Sequence, residues 1–382
     1  MPRPTPAVPF IFFHIPKCAG STFEKHFFRS AIGANISILK PCVHTGKPTV
    51  YSTIGYDHYP AGFDPDSEPL QCGLNERESC KKGRRAEVIR ISIACAGMII
   101  GHFRPAMVNN ILCAQRSMRS QGGGLMSTPA YGYTCASAAD AFCSCTERLG
   151  LQKDRTAMTC AVSIREPLAR ALSHHYHFDY EKKLDGSRRC DAYKCRKFSD
   201  LPIRDQLEVI TGTGGNVHLN WLTQESWHTP LRWVGRRIME WIGDGLMVLK
   251  RCAVAIVDRW EDTVALFNAM MPWAEDLGQQ DKVIPRANRN MSFVGKAAKK
   301  NKSKPTVGFE AEKDQLNRSM PALCEHLAPD VFFYLAAMSV FDHQLRRFNI
   351  KPFKKQREEH PCEPIFRQNG VKLTSRITVN MI

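Results

Sequence analysis

The sequence lacks an apolar run long enough to cross a lipid bilayer. A membrane-spanning helix needs about 18 or more consecutive apolar residues, and the best apolar stretches, 91–100 and 331–341, are much shorter. The run at 8–13 ends at His14, which makes it too brief for the core of a signal peptide. We therefore expect no membrane span in this chain, and we expect any targeting segment to be missing from it or unusual.

The chain also lacks the paired C-x2-C spacing of zinc ribbons and fingers, although it contains 15 cysteines. Its short cysteine spacings are of other kinds, namely Cys143 with Cys145, Cys190 with Cys195, and Cys72 with Cys80. The sequence has no cluster of histidine, aspartate and glutamate at the spacing of metal ligands. We therefore predict no metal site.

Two features of the sequence bear on its compartment. Fifteen cysteines are many for a cytosolic enzyme, and disulfides among them would require an oxidising environment, with at least one cysteine left unpaired. The N-x-[ST] pattern of N-glycosylation occurs at Asn35, Asn290, Asn301 and Asn317. Both features favour a secretory lumen.

Acidic residues are in the minority. Lysine and arginine number 53 against 37 aspartates and glutamates, which gives a formal net charge of +16. Such a charge favours anionic partners, namely nucleotides, sulfated or carboxylated glycans, nucleic acid or an anionic membrane surface. With 43% hydrophobic residues, the composition excludes a disordered or collagen-like chain.

Short apolar strands alternate with helical patterns along most of the chain. Strands are predicted at 9–15, 88–100, 159–164 and 253–257. This alternation predicts an α/β fold, a mostly parallel sheet with helices on both faces. We expect a single domain at 8–350, with Cys-rich loop insertions at about 40–85 and 113–150, and a C-terminal tail at 351–382.

The first strand is followed by a tight, glycine-containing turn and then a helix, which is the arrangement of a P-loop-type phosphate site. Backbone N–H groups and the helix dipole hold an anion at such a helix start. An ATP-binding Walker A loop has lysine directly after its second glycine, but here Ser21 follows Gly20 and the lysine is Lys17. We therefore predict that Lys17, Gly20, Ser21 and Thr22 bind a phosphate ester other than ATP.

A second motif follows the strand at 159–164. Arg165 stands at the end of this strand, a helix begins near Pro167, and Ser173 lies two turns into that helix. We expect the side chains of Arg165 and Ser173 to reach a second phosphate lying over the edge of the sheet. The alternatives are a salt bridge at the start of the helix for Arg165, and an ordinary helix residue for Ser173.

These two motifs resemble those of a known family. The stretch 14–22 (HIPKCAGST) resembles the 5′-phosphosulfate-binding loop of the carbohydrate sulfotransferases related to heparan sulfate 2-O-sulfotransferase. The stretch 163–176 (SIREPLARALSHHY) is similar to that family's 3′-phosphate-binding segment. Residues 101–103 (GHF) stand where the family has its G-H catalytic motif, and 257–266 resembles a segment near the end of its sheet. The resemblance covers about residues 10–350.

The resemblance implies sulfuryl transfer from 3′-phosphoadenosine-5′-phosphosulfate (PAPS) to a hydroxyl group, without a metal. It implies that His102 is the general base, that Lys17 stabilises the departing phosphate, and that Arg165 and Ser173 bind the 3′-phosphate. The expected acceptor is an acidic or neutral glycan rather than nucleic acid, and the expected location is the lumen or membrane of the Golgi. The chain departs from the family at Cys18 and Ala19, in both insertions, and in the absence of the usual membrane anchor.

Several alternatives remain at this point. His14 is the rival base, because it lies close to Lys17 in the sequence. A P-loop kinase would share the first strand and loop, but it should carry lysine directly after Gly20 and a magnesium-binding aspartate after an apolar strand, and the sequence is interpreted as having neither. A non-catalytic binder of acidic glycans would explain the positive charge but not both phosphate motifs.

Overall fold

A computed structural model describes residues 1–5, 8–43, 53–59, 97–101, 159–176, 196–212, 217–223, 235–280, 316–353 and 359–368. Within these ranges the strands are β1 (Phe10–Phe13), β2 (Ile38–Val43), β3 (Thr53–Tyr59), β4 (Met98–Gly101), β5 (Thr159–Ile164) and β6 (Cys252–Ile256). They form one sheet in the order β3-β2-β4-β1-β5-β6. All neighbouring strands are parallel except the edge strand β3, which is antiparallel to β2.

The described helices are α1 (Gly20–Gly33), α2 (Pro167–His175), α3 (Ile203–Gly212), α4 (Val217–Thr223), α5 (Gly235–Arg251), α6 (Trp260–Met270), α7 (Leu277–Gln280), α8 (Met320–Arg347) and α9 (Cys362–Gln368). None of these helices has the length and apolarity that a membrane crossing requires. The protein therefore has an α/β fold built on a mostly parallel sheet, as the alternation of strands and helices predicted.

The central strand β1 is buried on both of its faces. Successive residues of a strand point to opposite faces, and Phe10, Ile11, Phe12 and Phe13 are all 0% exposed. On one face, the rings of Phe10 and Phe12 lie 4.8 and 5.2 Å from the ring of Phe27 in α1. A run of apolar residues without alternation is typical of a parallel strand covered on both sides. The position of β1 between β4 and β5 therefore determines where the following loop leaves the sheet.

Helix α1 packs on the sheet through residues spaced four apart, as expected for one face of a helix. Phe23 and Phe27 lie on that face and are fully buried. The ring of Phe23 also lies 5.4 Å from Trp260 and 5.3 Å from Phe267, both in α6. Helices α1 and α6 therefore share one aromatic cluster beside β1.

The predicted strands agree with the structure to different degrees. The bounds of β5 are those predicted, and β1, β4 and β6 lie within or next to their predicted ranges. The expectation of a loop without strands at 40–85 was wrong, because β2 extends into it and β3 lies at 53–59. The insertion predicted at 113–150 lies outside the described residues.

Two disulfides tie distant parts of the chain together. Cys160 and Cys252 are register partners in β5 and β6 and are bonded to each other. Cys324 of α8 is bonded to Cys362 of α9, across a sequence separation of 38 residues. The segment predicted as a tail, 351–382, therefore includes a helix that is covalently attached to the long helix α8.

Candidate functional site

The site predicted from the two phosphate motifs lies where the direction of the chain connections reverses. From β1 the chain passes through α1 to β2 on one side of the sheet, whereas β5, the other neighbour of β1, is followed by β6 on the opposite side. In open α/β sheets, ligands bind at the carboxyl ends of the strands at such a switch point. Residues that follow β1 and β5 are therefore well placed to bind a ligand together.

The loop between β1 and α1 has an unusual backbone. Lys17 has a φ of 66° and Ala19 a φ of 57°, so both adopt the left-handed conformation that non-glycine residues rarely take. The loop is closed by the hydrogen bond from the Cys18 N–H to the Ile15 carbonyl, at 3.3 Å. Lys17 is half-buried at the mouth of the loop. The loop thus turns sharply and carries its lysine outside the helix, as predicted.

The start of α1 presents an electropositive helix terminus. Its N-cap residue, Ala19, provides no side-chain hydrogen bond, and the first turn contains no acidic residue. The N–H groups of Thr22 and Phe23 donate to the Ala19 carbonyl at 2.9 and 3.3 Å. Ser21 is exposed at this terminus. A helix start without a carboxylate cap favours an anionic ligand.

Gly20 is required at this position by the ring of His14. A Cβ atom on Gly20 would lie 1.7 Å from the Cδ2 atom of His14, which no side chain could accommodate. His14 is 5% exposed, and its Nδ1 lies 3.6 Å from the Glu24 carboxylate. His14 is thus packed beneath the first turn of α1, and its role as a rival base stays a prediction.

Arg165 joins the second motif to the first. It follows β5 directly, and its Nη1 donates a hydrogen bond of 3.1 Å to the carbonyl of Lys17. The structure therefore brings together two of the predicted site residues that are 148 positions apart in the sequence. Ser173 lies in α2, as predicted, but it is only 5% exposed. Its contact with a phosphate stays a prediction.

The second helix start is already occupied by a carboxylate. Glu166 accepts hydrogen bonds from the N–H groups of Leu168 and Ala169, at 3.0 and 2.6 Å. Its Oε1 also lies 3.0 Å from His360 Nε2. Burial alone would raise the pKa of Glu166, but the hydrogen bond and charge of His360 and the two amides hold that pKa below its usual value. The α2 terminus is therefore capped by Glu166, unlike the α1 terminus.

An aspartate does follow an apolar strand, so the interpretation that the sequence has none there was wrong. Asp258 lies just beyond β6, and its Oδ2 accepts hydrogen bonds from the Glu166 N–H at 2.8 Å and from the Tyr334 hydroxyl at 3.3 Å. This carboxylate supports the start of α2. In the described part of the chain, no group of three or more His, Cys, Asp or Glu residues is arranged to hold a metal ion.

The predicted base, His102, lies outside the described residues. Its neighbour Gly101 ends β4, is the register partner of Phe13 in β1, and accepts a hydrogen bond of 3.1 Å from the His14 N–H. The strand that precedes His102 therefore ends beside the strand that precedes Lys17. The role of His102 stays a prediction.

No family model, curated protein or solved structure matches this chain.

Sequence reasoning missed the roles of four residues in and around the loop. Cys18, noted only as a departure from the family, has its sulfur 3.3 Å from Nε2 of His218 in α4. His218 Nδ1 lies 2.9 Å from Asp330 in α8. Arg170 of α2 is fully buried and interacts electrostatically with both Asp330 and Cys18. No spacing in the sequence could have linked these residues, because they come from four separate elements.

Chemically, this edge of the sheet offers a lysine, an arginine and an uncapped helix start within one short stretch of surface. All three favour a ligand with more than one negative charge. Neither motif alone would distinguish a phosphate ester from any other anion. The hydrogen bond from Arg165 to the Lys17 carbonyl places the two motifs side by side.

Proposed function

We propose that this protein transfers a sulfuryl group from PAPS to a hydroxyl group of a carbohydrate. The observation that carries the proposal is the 3.1 Å hydrogen bond between Arg165 and the Lys17 carbonyl. It joins the uncapped start of α1, suited to a 5′-phosphosulfate, to an arginine suited to a 3′-phosphate. ATP has no 3′-phosphate and would therefore leave Arg165 without the phosphate that we assign to it.

Each residue of the two motifs has a part in this proposal. Gly20, Ser21 and Thr22 hold the 5′-phosphate through backbone and hydroxyl donors, and Arg165 and Ser173 bind the 3′-phosphate. Lys17 stabilises the negative charge that develops on the phosphate as the sulfur–oxygen bond to it breaks. Together these residues form the proposed P-loop-type binding site for adenosine 3′,5′-bisphosphate.

His102 is the general base of the proposed reaction. It accepts the proton of the acceptor hydroxyl while the oxygen forms its new bond to sulfur, and adenosine 3′,5′-bisphosphate leaves on the opposite side. A histidine suits this role because its ordinary pKa lies near neutrality. Its position directly after β4, beside β1, supports this assignment.

We further propose that the protein acts in the Golgi lumen on an acidic or neutral glycan. The two disulfides within the described residues fit an oxidising compartment. Of the four N-x-[ST] asparagines, Asn35 and Asn317 are exposed, and the other two lie outside the described residues. The net charge of +16 suits an anionic donor and an acidic acceptor. The proposal includes no metal and no nucleic acid.

Isothermal titration with adenosine 3′,5′-bisphosphate and with ADP tests the donor site. We expect the bisphosphate to bind at least tenfold more tightly than ADP. Arg165→Ala should weaken bisphosphate binding by tenfold or more while leaving ADP binding nearly unchanged, since the loss of one charge-assisted contact costs about 1.5–3 kcal/mol. Arg204→Ala is the matched control, because Arg204 is exposed in α3. Equal affinity for both nucleotides would contradict the proposal.

Radiolabelled PAPS, offered with a panel of desulfated glycosaminoglycans and algal-type polysaccharides, tests the transfer itself. Label should appear on at least one polysaccharide and not on a protein-free control. Tight bisphosphate binding without transfer to any carbohydrate or small alcohol would instead favour a non-catalytic nucleotide-binding protein.

A further inference from the structure

Three buried side chains interact in a row at the loop between β1 and α1 (residues 14–19), which is the proposed phosphate loop. The sulfur of Cys18 is 3.3 Å from Nε2 of His218, and Nδ1 of His218 is 2.9 Å from Oδ2 of Asp330. All three residues are 0% exposed. Cys18 belongs to the loop, whereas His218 and Asp330 belong to helices α4 and α8, which come much later in the sequence.

The same order of residues occurs in cysteine nucleophiles, but burial rules out that role here. A thiol that is 0% exposed cannot be reached by a substrate atom, and reactive cysteines are at least partly accessible. The three residues must therefore act on the protein itself rather than on a substrate.

Asp330 is held firmly enough to serve as an anchor. Besides His218 Nδ1, its carboxylate accepts the backbone N–H groups of His218 at 3.0 Å and of Leu219 at 2.9 Å. These are amides of the first turn of α4, which otherwise lack partners within a helix. Asp330 thus fixes both the start of α4 and the orientation of the His218 ring.

The charges around His218 favour its protonated form. Burial lowers its pKa, but the nearby Cys18 and Asp330 more than compensate and raise that pKa to about 9. A protonated ring donates from both nitrogens, to Asp330 from Nδ1 and to the Cys18 sulfur from Nε2. Among the described residues, Arg170 of α2 is the other charged group that faces these three side chains. It also interacts electrostatically with Arg165 and Glu166.

We propose that Cys18, His218 and Asp330 are positioning residues that fix the phosphate loop in its binding conformation. Cys18 lies between the two left-handed residues Lys17 and Ala19, so its bond to His218 holds the loop at the point of sharpest turning. The N-cap residue of α1 forms no side-chain hydrogen bond, so no cap of this helix holds the loop in place. The functional part of this inference rests on the proposed binding of adenosine 3′,5′-bisphosphate.

Hydrogen exchange on the full chain tests the positioning role without any ligand. In Cys18→Ala, the hydrogen-bonded amides of residues 18, 22 and 23 should exchange at least tenfold faster than in the wild type, whereas those of α6 should not change. Cys18→Ser is the matched control, because a hydroxyl can still bond to His218, and its exchange should stay within threefold of the wild type. Unchanged exchange at these three amides in a folded Cys18→Ala protein would overturn the proposal.

The affinity for adenosine 3′,5′-bisphosphate gives a second readout. Affinity should fall at least fivefold in Cys18→Ala and in His218→Ala, and Cys18→Ser should restore it to within threefold of the wild type. Unchanged affinity in both folded alanine variants would also overturn the proposal. If the wild type binds no bisphosphate at any pH, the proposed function fails, and the exchange experiment still decides the role of Cys18.

Discussion

Lys17 combines a strained backbone with an accessible charge. Its left-handed φ of 66° costs free energy that a residue in an ordinary turn would not cost, and its side chain is half-buried rather than packed in the core. Retention of such a conformation is typical of functional sites. The charge of Lys17 should therefore matter for activity and little for folding.

Lys17→Ala should reduce sulfuryl transfer by about a hundredfold to a thousandfold with little change in melting temperature. Removing one group that stabilises transition-state charge costs about 2.7–4 kcal/mol. Turnover of radiolabelled PAPS and thermal unfolding followed by circular dichroism measure the two quantities. Lys25→Ala, which removes an exposed lysine of the following helix α1, should leave both unchanged. Near-normal turnover in folded Lys17→Ala would remove Lys17 from the mechanism.

His102→Ala should lower turnover by about a hundredfold, because the attacking hydroxyl then loses its general base. Bisphosphate affinity should barely change. In the wild type, turnover should rise with pH through a group that titrates between about 6 and 7, and this limb should disappear in the variant. If His14→Ala loses the limb while His102→Ala keeps it, the base is His14.

At the scale of elements, α1 carries a buried histidine on the face that packs toward the sheet. His26 is 1% exposed, and its ring lies 5.1 Å from that of Phe27. Burial lowers its pKa from 6.5 to about 4, although the charge of Asp276 acts in the opposite direction. The folded protein therefore holds His26 in its neutral form across the physiological range of pH.

This lowered pKa predicts a loss of stability in acid. The neutral form of His26 contributes its stability fully above pH 6.5, and this contribution is lost as pH falls from 6.5 to about 4. The total loss is about 3 kcal/mol. Urea unfolding of the wild type and of His26→Leu across this range isolates the contribution. The free energy of unfolding of the wild type should decrease relative to that of His26→Leu as pH falls. A constant difference would mean that His26 titrates normally.

The sequence predicted some elements well for clear physical reasons. Strand β5 is a six-residue, mainly apolar stretch followed at once by Arg165, Glu166 and Pro167, which gives it a sharp end. Strands β2 and β3 were missed because residues that disfavour strands interrupt both of them. β2 contains Pro41, and β3 contains Gly55 and Asp57. These two strands are specified by pairing with each other at the edge of the sheet.

At the scale of the whole molecule, the disulfide between Cys324 and Cys362 attaches the segment around α9 to the body of the protein. Replacing both residues by serine should lower the free energy of unfolding by about 2–4 kcal/mol, since the closed loop spans 38 residues. Denaturant unfolding under oxidising conditions measures this change. Adding a reductant to the wild type should reproduce part of the effect, and it should have less effect on the double variant.

The candidate site was predicted only as far as local motifs reach. Lys17 and Arg165 were found because each follows an apolar strand in a short, recognisable pattern. His218, Asp330 and His360 were not, because nothing near them in the sequence indicates their partners. Their place beside the site depends on how four helices and the segment before α9 pack, which no local spacing encodes.

The contacts beneath the phosphate loop also have a consequence for synthesis on the ribosome. Cys18 and His218 are 200 residues apart, and His218 and Asp330 are a further 112 apart. At about 5–20 residues per second, 200 residues take roughly 10–40 seconds to make. The loop therefore leaves the ribosome long before its partners exist. A nascent chain with β1 and α1 complete still lacks His218 and Asp330, and this loop can make its full set of contacts only after α8 has been released.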